Sequence, residues 1–327
     1  MRTIAIEEHF LSTACKPIVE EGVREQPFFY RSVSSKLADL GDDRLKEMDE
    51  WGIDVQVLMH TMFPDTHPEA VRLAQKTNDE LAAAIAAHPD RYAGFAILPW
   101  GHPEAAVEEI KRAVRSLGFN GVMCNGRANG LFLDDPSFFP VWKQAAELNV
   151  PVYIHPAYPP KPVADAYFTG FDPDVNLLLA TTCWGWHSEV GLHALRLIVS
   201  GLFDRLPALQ VIIGHMGEMF PFMLDRIEHW MTPVAKNLKR KATEYFRENF
   251  YISTSGFFSE PPLVLALETI GADRIIFAVD YPYNSNRDGR EFLDGLRIGM
   301  SEKAKITHLN AERLLGIKKG QPSISVR

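Results

Sequence analysis

Short, nearly continuous apolar runs alternate with longer amphipathic stretches along the chain. The apolar runs fall at 3–6, 55–59, 92–98, 121–124, 150–154, 209–213, 250–253 and 274–279, with cores such as VQVLM, AGFAIL, LQVII and RIIFAV. Runs that are apolar at every position, rather than at every second one, predict parallel strands buried on both faces. Apolar residues at helical spacing predict helices over 43–51, 68–88, 103–117, 136–148, 187–203, 218–246, 262–270, 287–298 and 310–317. Pro103 and Pro136 sit where a first helical turn tolerates a residue without an N–H. Eight strands separated by helices, with no composition break or low-complexity linker, predict an α/β chain forming one (β/α)8 TIM barrel over residues 1–327. The competing doubly wound sheet lacks support, because no GxGxxG follows the first strand.

Two insertions interrupt the rhythm, residues 10–41 after strand 1 and 156–187 after strand 5. Loops that follow barrel strands lie at the C-terminal face, where such folds build their sites. The second insertion is rich in proline and aromatics (PAYPPKP, AYFTGF, CWGWH), so Trp184 and Trp186 either line a substrate pocket or cover the barrel mouth.

The polar residues at or just past the strand ends are Glu7, His9, His60, Asn125, His155, His215, Ser253, Ser255 and Asp280. Glu7 and His9, in IEEHF, are two apart and therefore share one face of an extended chain. Four of the eleven histidines occupy strand ends, and a barrel brings strand ends together around one axis. A converging set of Glu, His, His and Asp suits a divalent ion such as Zn2+, Mn2+ or Fe2+. No cysteine belongs to the set, which argues for an open reactive site over a structural knot. No lysine stands at a matching strand end, the nearest being Lys161 in a proline-rich loop, so one metal is expected rather than a bridged pair.

Bulk composition narrows the class further. A formal charge of -8 argues against a nucleic-acid binder, which needs a basic face. The three cysteines form no CxxC pair and no disulfide framework. With no signal-like start and no 18-residue apolar run, the expectation is a cytoplasmic protein without a membrane partner.

The motifs resemble the amidohydrolase superfamily, in particular its metal-dependent decarboxylases of hydroxylated aromatic acids. These are the gamma-resorcylate and 2,3-dihydroxybenzoate decarboxylases, related to aminocarboxymuconate-semialdehyde decarboxylase. The likeness rests on the ExH of Glu7-Glu8-His9, PVYIHP with His155, VIIGHMGE with His215 and Glu218, and RIIFAVDYPY with Asp280. HALRLIVSGLFDRLPAL, LPW and NAERLLGI extend it from residue 4 to about 317. The segment after VDYPY departs from the pattern, reading NSNRDG where an acidic residue is expected.

The resemblance implies one Zn2+ or Mn2+ held by Glu7, His9, His155 and Asp280, with His215 and Glu218 as a polar relay beside it. It implies that Asp280 protonates the carboxyl-bearing ring carbon of a small aromatic carboxylate, that Arg226 holds a substrate oxygen, and that Phe10, Trp184 and Trp186 enclose the ring. It also implies a homodimer or homotetramer. Hydrolysis on the same site, with Asp280 as general base toward water, is the rival chemistry. A non-catalytic ligand-sensing barrel has no use for the full acid–base complement.

Overall fold

The computed structural model describes residues 1–22 and 28–318. The C-terminal tail KKGQPSISVR, which carries no helical pattern, lies outside the described residues from position 319, as do residues 23–27 of the first insertion. Eight parallel strands follow one another in chain order: β1 (Ile4–Phe10), β2 (Val55–His60), β3 (Tyr92–Ile97), β4 (Gly121–Asn125), β5 (Val152–His155), β6 (Val211–Ile213), β7 (Phe250–Ser253) and β8 (Ile275–Ile276). A bridge between Ile6 and Ala278, with the Ile6 N–H donating to the Phe277 carbonyl at 3.1 Å, brings β8 against β1 and makes the sheet a (β/α)8 barrel. Regular pairing on β8 is short because the Thr254 hydroxyl substitutes for ladder bonds, accepting from the Ala278 N–H and donating to its carbonyl, each at 2.9 Å.

Strand side chains alternate between two cores. Ile4 and Ile6, Val57 and Met59, Phe95, Met123, Tyr153, Ile212, Tyr251, Ile276 and Ala278 pack together inside the barrel. Ala5, Leu58, Ala96, Val122, Ile154, Ile213, Ile252 and Phe277 face the surrounding helices. This two-sided burial is why the strand sequences show no polar face.

The helix expected over 218–246 is broken in the structure. Met216, Glu218 and Met219 all have positive φ, so the chain makes a 3-10 turn (His215–Gly217) and the helix starts only at Phe220. It ends at Met231, just before Pro233, and a second helix, Ala242–Asn249, leads into β7. Apolar periodicity continued through this stretch, but a left-handed turn and a proline interrupt the backbone. The insertions carry short helices of their own: Lys16–Gly22 and Phe28–Ala38 after β1, and Lys161–Tyr167 and Pro173–Ala180 after β5. Among the described residues no helix is long and apolar enough to cross a membrane.

Candidate active site and metal centre

The phase of each strand decides what its C-terminal end presents to the barrel mouth. On β4, β5, β7 and β8 the inward residues Met123, Tyr153, Tyr251 and Ala278 are followed two positions later by Asn125, His155, Ser253 and Asp280. Strand alternation sends the first three inward without further help, whereas Asp280 reaches the mouth from a left-handed turn past the end of β8. On β1 the same rule fails, because Ile4 and Ile6 point inward and Glu7 should then point out. A β-bulge between Ile6 and Glu8, with Glu7 at φ 66°, shifts the phase by one. Glu7 and His9 consequently turn into the mouth, while Glu8 and Phe10 turn away.

Ligand-capable atoms of Glu7, His9, His155 and Asp280 all lie within 4.8 Å of one another. His9 Nε2 is 3.0 Å from Asp280 Oδ1, and His155 Nε2 is 3.7 Å from Glu7 Oε1. Glu7 Oε1 and both ring nitrogens of His9 are buried without a hydrogen-bond partner among the described residues. Such orphaned atoms are costly unless a ligand completes them. Burial lowers both His9 and His155 to about 4, keeping the rings neutral as metal ligation requires. The His155 Nδ1–H donates to the Pro156 carbonyl at 2.8 Å, leaving Nε2 as the free lone pair. Glu7 Oε2 faces the other way, accepting from Ser253 Oγ at 2.9 Å and from the Tyr153 hydroxyl. Gly214 completes the cradle, since a Cβ there would stand 2.9 Å from Glu7 Oε2 and 3.0 Å from the Tyr153 hydroxyl. The donor set fits one divalent cation.

Behind this set Glu218 is wholly buried between two histidines. The Nδ1–H groups of His215 and His187 donate to its two oxygens, each at 2.6 Å. His187 is fixed at its other end by an Nε2–H bond to the Thr182 carbonyl at 2.8 Å. Burial opposes charge on His215, but the carboxylates of Glu218, Glu7 and Asp280 overcome it and push the ring up to about 10. Burial likewise favours a neutral Glu218, yet His215 and His187 hold it down to about 2. His215 Nε2 then lies 4.0 Å from Asp280 Oδ2. Asp280, left-handed at φ 67°, is raised by burial to about 6, against the pull of His215. Asn284 in the divergent NSNRDG segment donates to Asp280 Oδ2 at 3.0 Å.

The amidohydrolase family profile matches residues 36–317. The chain belongs to the amidohydrolase family. Gamma-resorcylate decarboxylase of Rhizobium sp. is 37% identical to this amidohydrolase over 327 residues, covering 95% of this chain and 97% of that one. A solved 2,6-dihydroxybenzoate decarboxylase complexed with 2,6-dihydroxybenzoate superposes with TM-score 0.87 at 36% identity, over 97% of this chain and 100% of that one. The manganese-bound dihydroxybenzoic acid decarboxylase of Polaromonas sp., holding the inhibitor 2-nitroresorcinol, gives 0.88 at 35% identity, covering 96% and 97%.

Within this amidohydrolase the sequence-derived candidates divide in two. Glu7, His9, His155, Asp280, His215 and Glu218 converge on the barrel mouth. Trp186 joins them, its ring centroid 6.4 Å from His155 and its buried indole N–H without an acceptor among the described residues. Phe10 does not join, because the bulge leaves it in the outer core, packed edge-on against His60 at 5.3 Å. Trp184 is 52% exposed at the start of helix Gly185–Val199. Arg226 is exposed on Phe220–Met231, its guanidinium over the ring of Trp230 at 5.5 Å rather than over the acidic cluster. His60 falls on the outward phase of β2 and bonds to Ser12 Oγ at 3.2 Å. His187 was not among the residues the sequence reading assigned to the site. Its only local sign is its place in CWGWHSE at a helix start, which says nothing of Glu218.

Proposed function

We propose that this amidohydrolase removes the carboxyl group of a hydroxylated aromatic acid of the dihydroxybenzoate kind, without oxidation, giving the phenol and CO2. One observation carries the reading. Asp280 is a buried carboxyl that belongs to the metal-ligand set and also faces the His215–Glu218–His187 chain, with His215 Nε2 4.0 Å from its Oδ2. Likeness over nearly the whole chain to decarboxylases of dihydroxybenzoates supports the same chemistry.

Glu7, His9, His155 and Asp280 would hold one Zn2+ or Mn2+, which when bound supplies positive charge to neutralise the substrate's phenolic and carboxyl oxygens. The residues of the chain do the rest. Asp280 delivers a proton to the carboxyl-bearing ring carbon, which a neighbouring phenolic oxygen makes electron-rich. The bond to the carboxyl then breaks, its electron pair returns to the ring, and CO2 departs. His215, charged by its carboxylate neighbours, returns a proton to Asp280, while Glu218 and His187 keep its ring oriented. The unpartnered indole N–H of Trp186 donates to a substrate oxygen, and its ring forms one wall of the pocket. Excess bicarbonate drives the reverse carboxylation of the phenol.

The chain acts as a single barrel domain and assembles as a homodimer or homotetramer, which covers the apolar side chains Phe222, Trp230 and Val234 exposed on and after helix Phe220–Met231. Free Cys15, Cys124 and Cys183 suit a cytoplasmic location. An absorbance screen of metal-loaded protein against salicylate, 2,3-, 2,4- and 2,6-dihydroxybenzoate and a carboxylated vanillate, beside a chelated control, tests the reading. Metal-dependent formation of one phenol is expected. No turnover with metal bound, together with hydrolysis of a lactone panel, would reject it in favour of Asp280 as general base.

A further inference from the structure

Glu8 stands between two ligand-capable residues, is wholly buried, and is not itself part of the donor set. The bulge that turns Glu7 and His9 into the mouth turns Glu8 outward, to the seam between β1 and β8. There Oε1 accepts the Val279 N–H at 2.8 Å and Oε2 accepts the Tyr281 N–H at 3.3 Å. These two amides flank Asp280. They lie past the last regular pair of β8, so the carboxyl group takes the place of a neighbouring strand.

Asp280 needs such a hold. A non-glycine residue in the left-handed region is strained and persists only where its surroundings over-determine it. The outer layer that holds Glu8 also holds His9. Gln56 Nε2 reaches Glu8 Oε2 at 3.4 Å, and the wholly buried Arg44 donates to the His9 carbonyl with its guanidinium 4.8 Å from the Tyr281 ring. The His9 N–H in turn donates to the Tyr281 carbonyl at 2.6 Å.

We propose that Glu8 is a positioning residue: by gripping the amides on both sides of Asp280 it fixes that residue's left-handed turn, and so sets the affinity of the site for its divalent ion. The proposal rests on Asp280 being a metal ligand. Glu8→Gln tests it, because the amide keeps one acceptor oxygen but sets an NH2 donor against the second backbone N–H, whatever the proton state of Glu8. Mn2+ is titrated into chelator-stripped protein, and free Mn2+ is read by its electron paramagnetic resonance signal. The expected result is a Kd about tenfold weaker in E8Q than in wild type, with circular dichroism unchanged. If E8Q does not fold, Glu8→Asp replaces it; that variant keeps the carboxyl group but is one methylene too short to reach both amides, and the same weakening is expected. A folded E8Q or E8D with wild-type Mn2+ affinity and only a lower Tm overturns the positioning role and leaves the metal site standing. Wild type that takes up no Mn2+ overturns both.

Discussion

Glu218→Gln puts the relay under the most direct test. The wild-type carboxylate accepts two 2.6 Å bonds, one from His215 and one from His187, inside a site with no exposed carboxylate surface. Glutamine has one acceptor oxygen, so one imidazole must face an NH2 group and lose its bond. It also leaves the buried, positively charged His215 without its nearest counter-charge. Removing one member of a buried, hydrogen-bonded ion pair costs about 3–5 kcal/mol. At roughly 1.5 °C per kcal/mol for a chain of this size, Tm should fall by about 4–8 °C. Burial then acts on the His215 ring with its strongest opposing charge gone, so the ring titrates lower and returns protons to Asp280 less readily. Loss of such assistance lowers kcat by about 10²–10⁴. Thermal denaturation followed by circular dichroism reads the first effect, and phenol formation under metal saturation reads the second. A Tm within about 2 °C of wild type together with an unchanged kcat would refute the argument that Glu218 keeps His215 charged and orients both histidines.

Further outcomes follow from other positions. Asp280→Asn keeps an oxygen donor but cannot carry the proton, so kcat should drop by about 10²–10⁴ while metal analysis by plasma mass spectrometry finds at least part of the ion retained. In Gly214→Ala the new methyl group meets the Glu7 carboxylate and the Tyr153 hydroxyl, and Mn2+ affinity should weaken about tenfold without loss of the fold. His193 accepts the Leu133 N–H at Nε2 (3.0 Å), and burial, aided by Arg196 and Arg127, lowers it to about 3. The unfolded chain therefore binds this proton at higher pH than the folded one. The contribution is fully present above about pH 6.5 and is lost toward pH 3, at about 1.4 kcal/mol per pH unit. Urea denaturation at several pH values should show a slope shallower by about one proton in His193→Asn, and an unchanged slope would reject the assignment.

Much of this site was legible in the residue pattern. Apolar runs locate the strands, and where a run is regular the inward phase can be carried two residues further, which places Asn125 and His155 at the mouth. The same arithmetic on β1 gives the wrong face for Glu7 and His9. Their two-residue spacing shows only that they point the same way as each other, and a bulge decides which way that is. His60, a strand-end histidine like the others by sequence, proves out of phase, and Phe10 follows Glu8 outward for the same reason. His187 reaches Glu218 across 31 residues, a contact that no local spacing records. The sequence by itself determined which residues form strands, which helices enclose them and which chemical groups stand at the strand ends, because these depend on local periodicity and residue type. Only the tertiary structure decided which of those groups meet. Left-handed turns at Glu7, His215, Glu218 and Asp280 reset side-chain direction, and each is held by bonds to residues distant along the chain or across the turn.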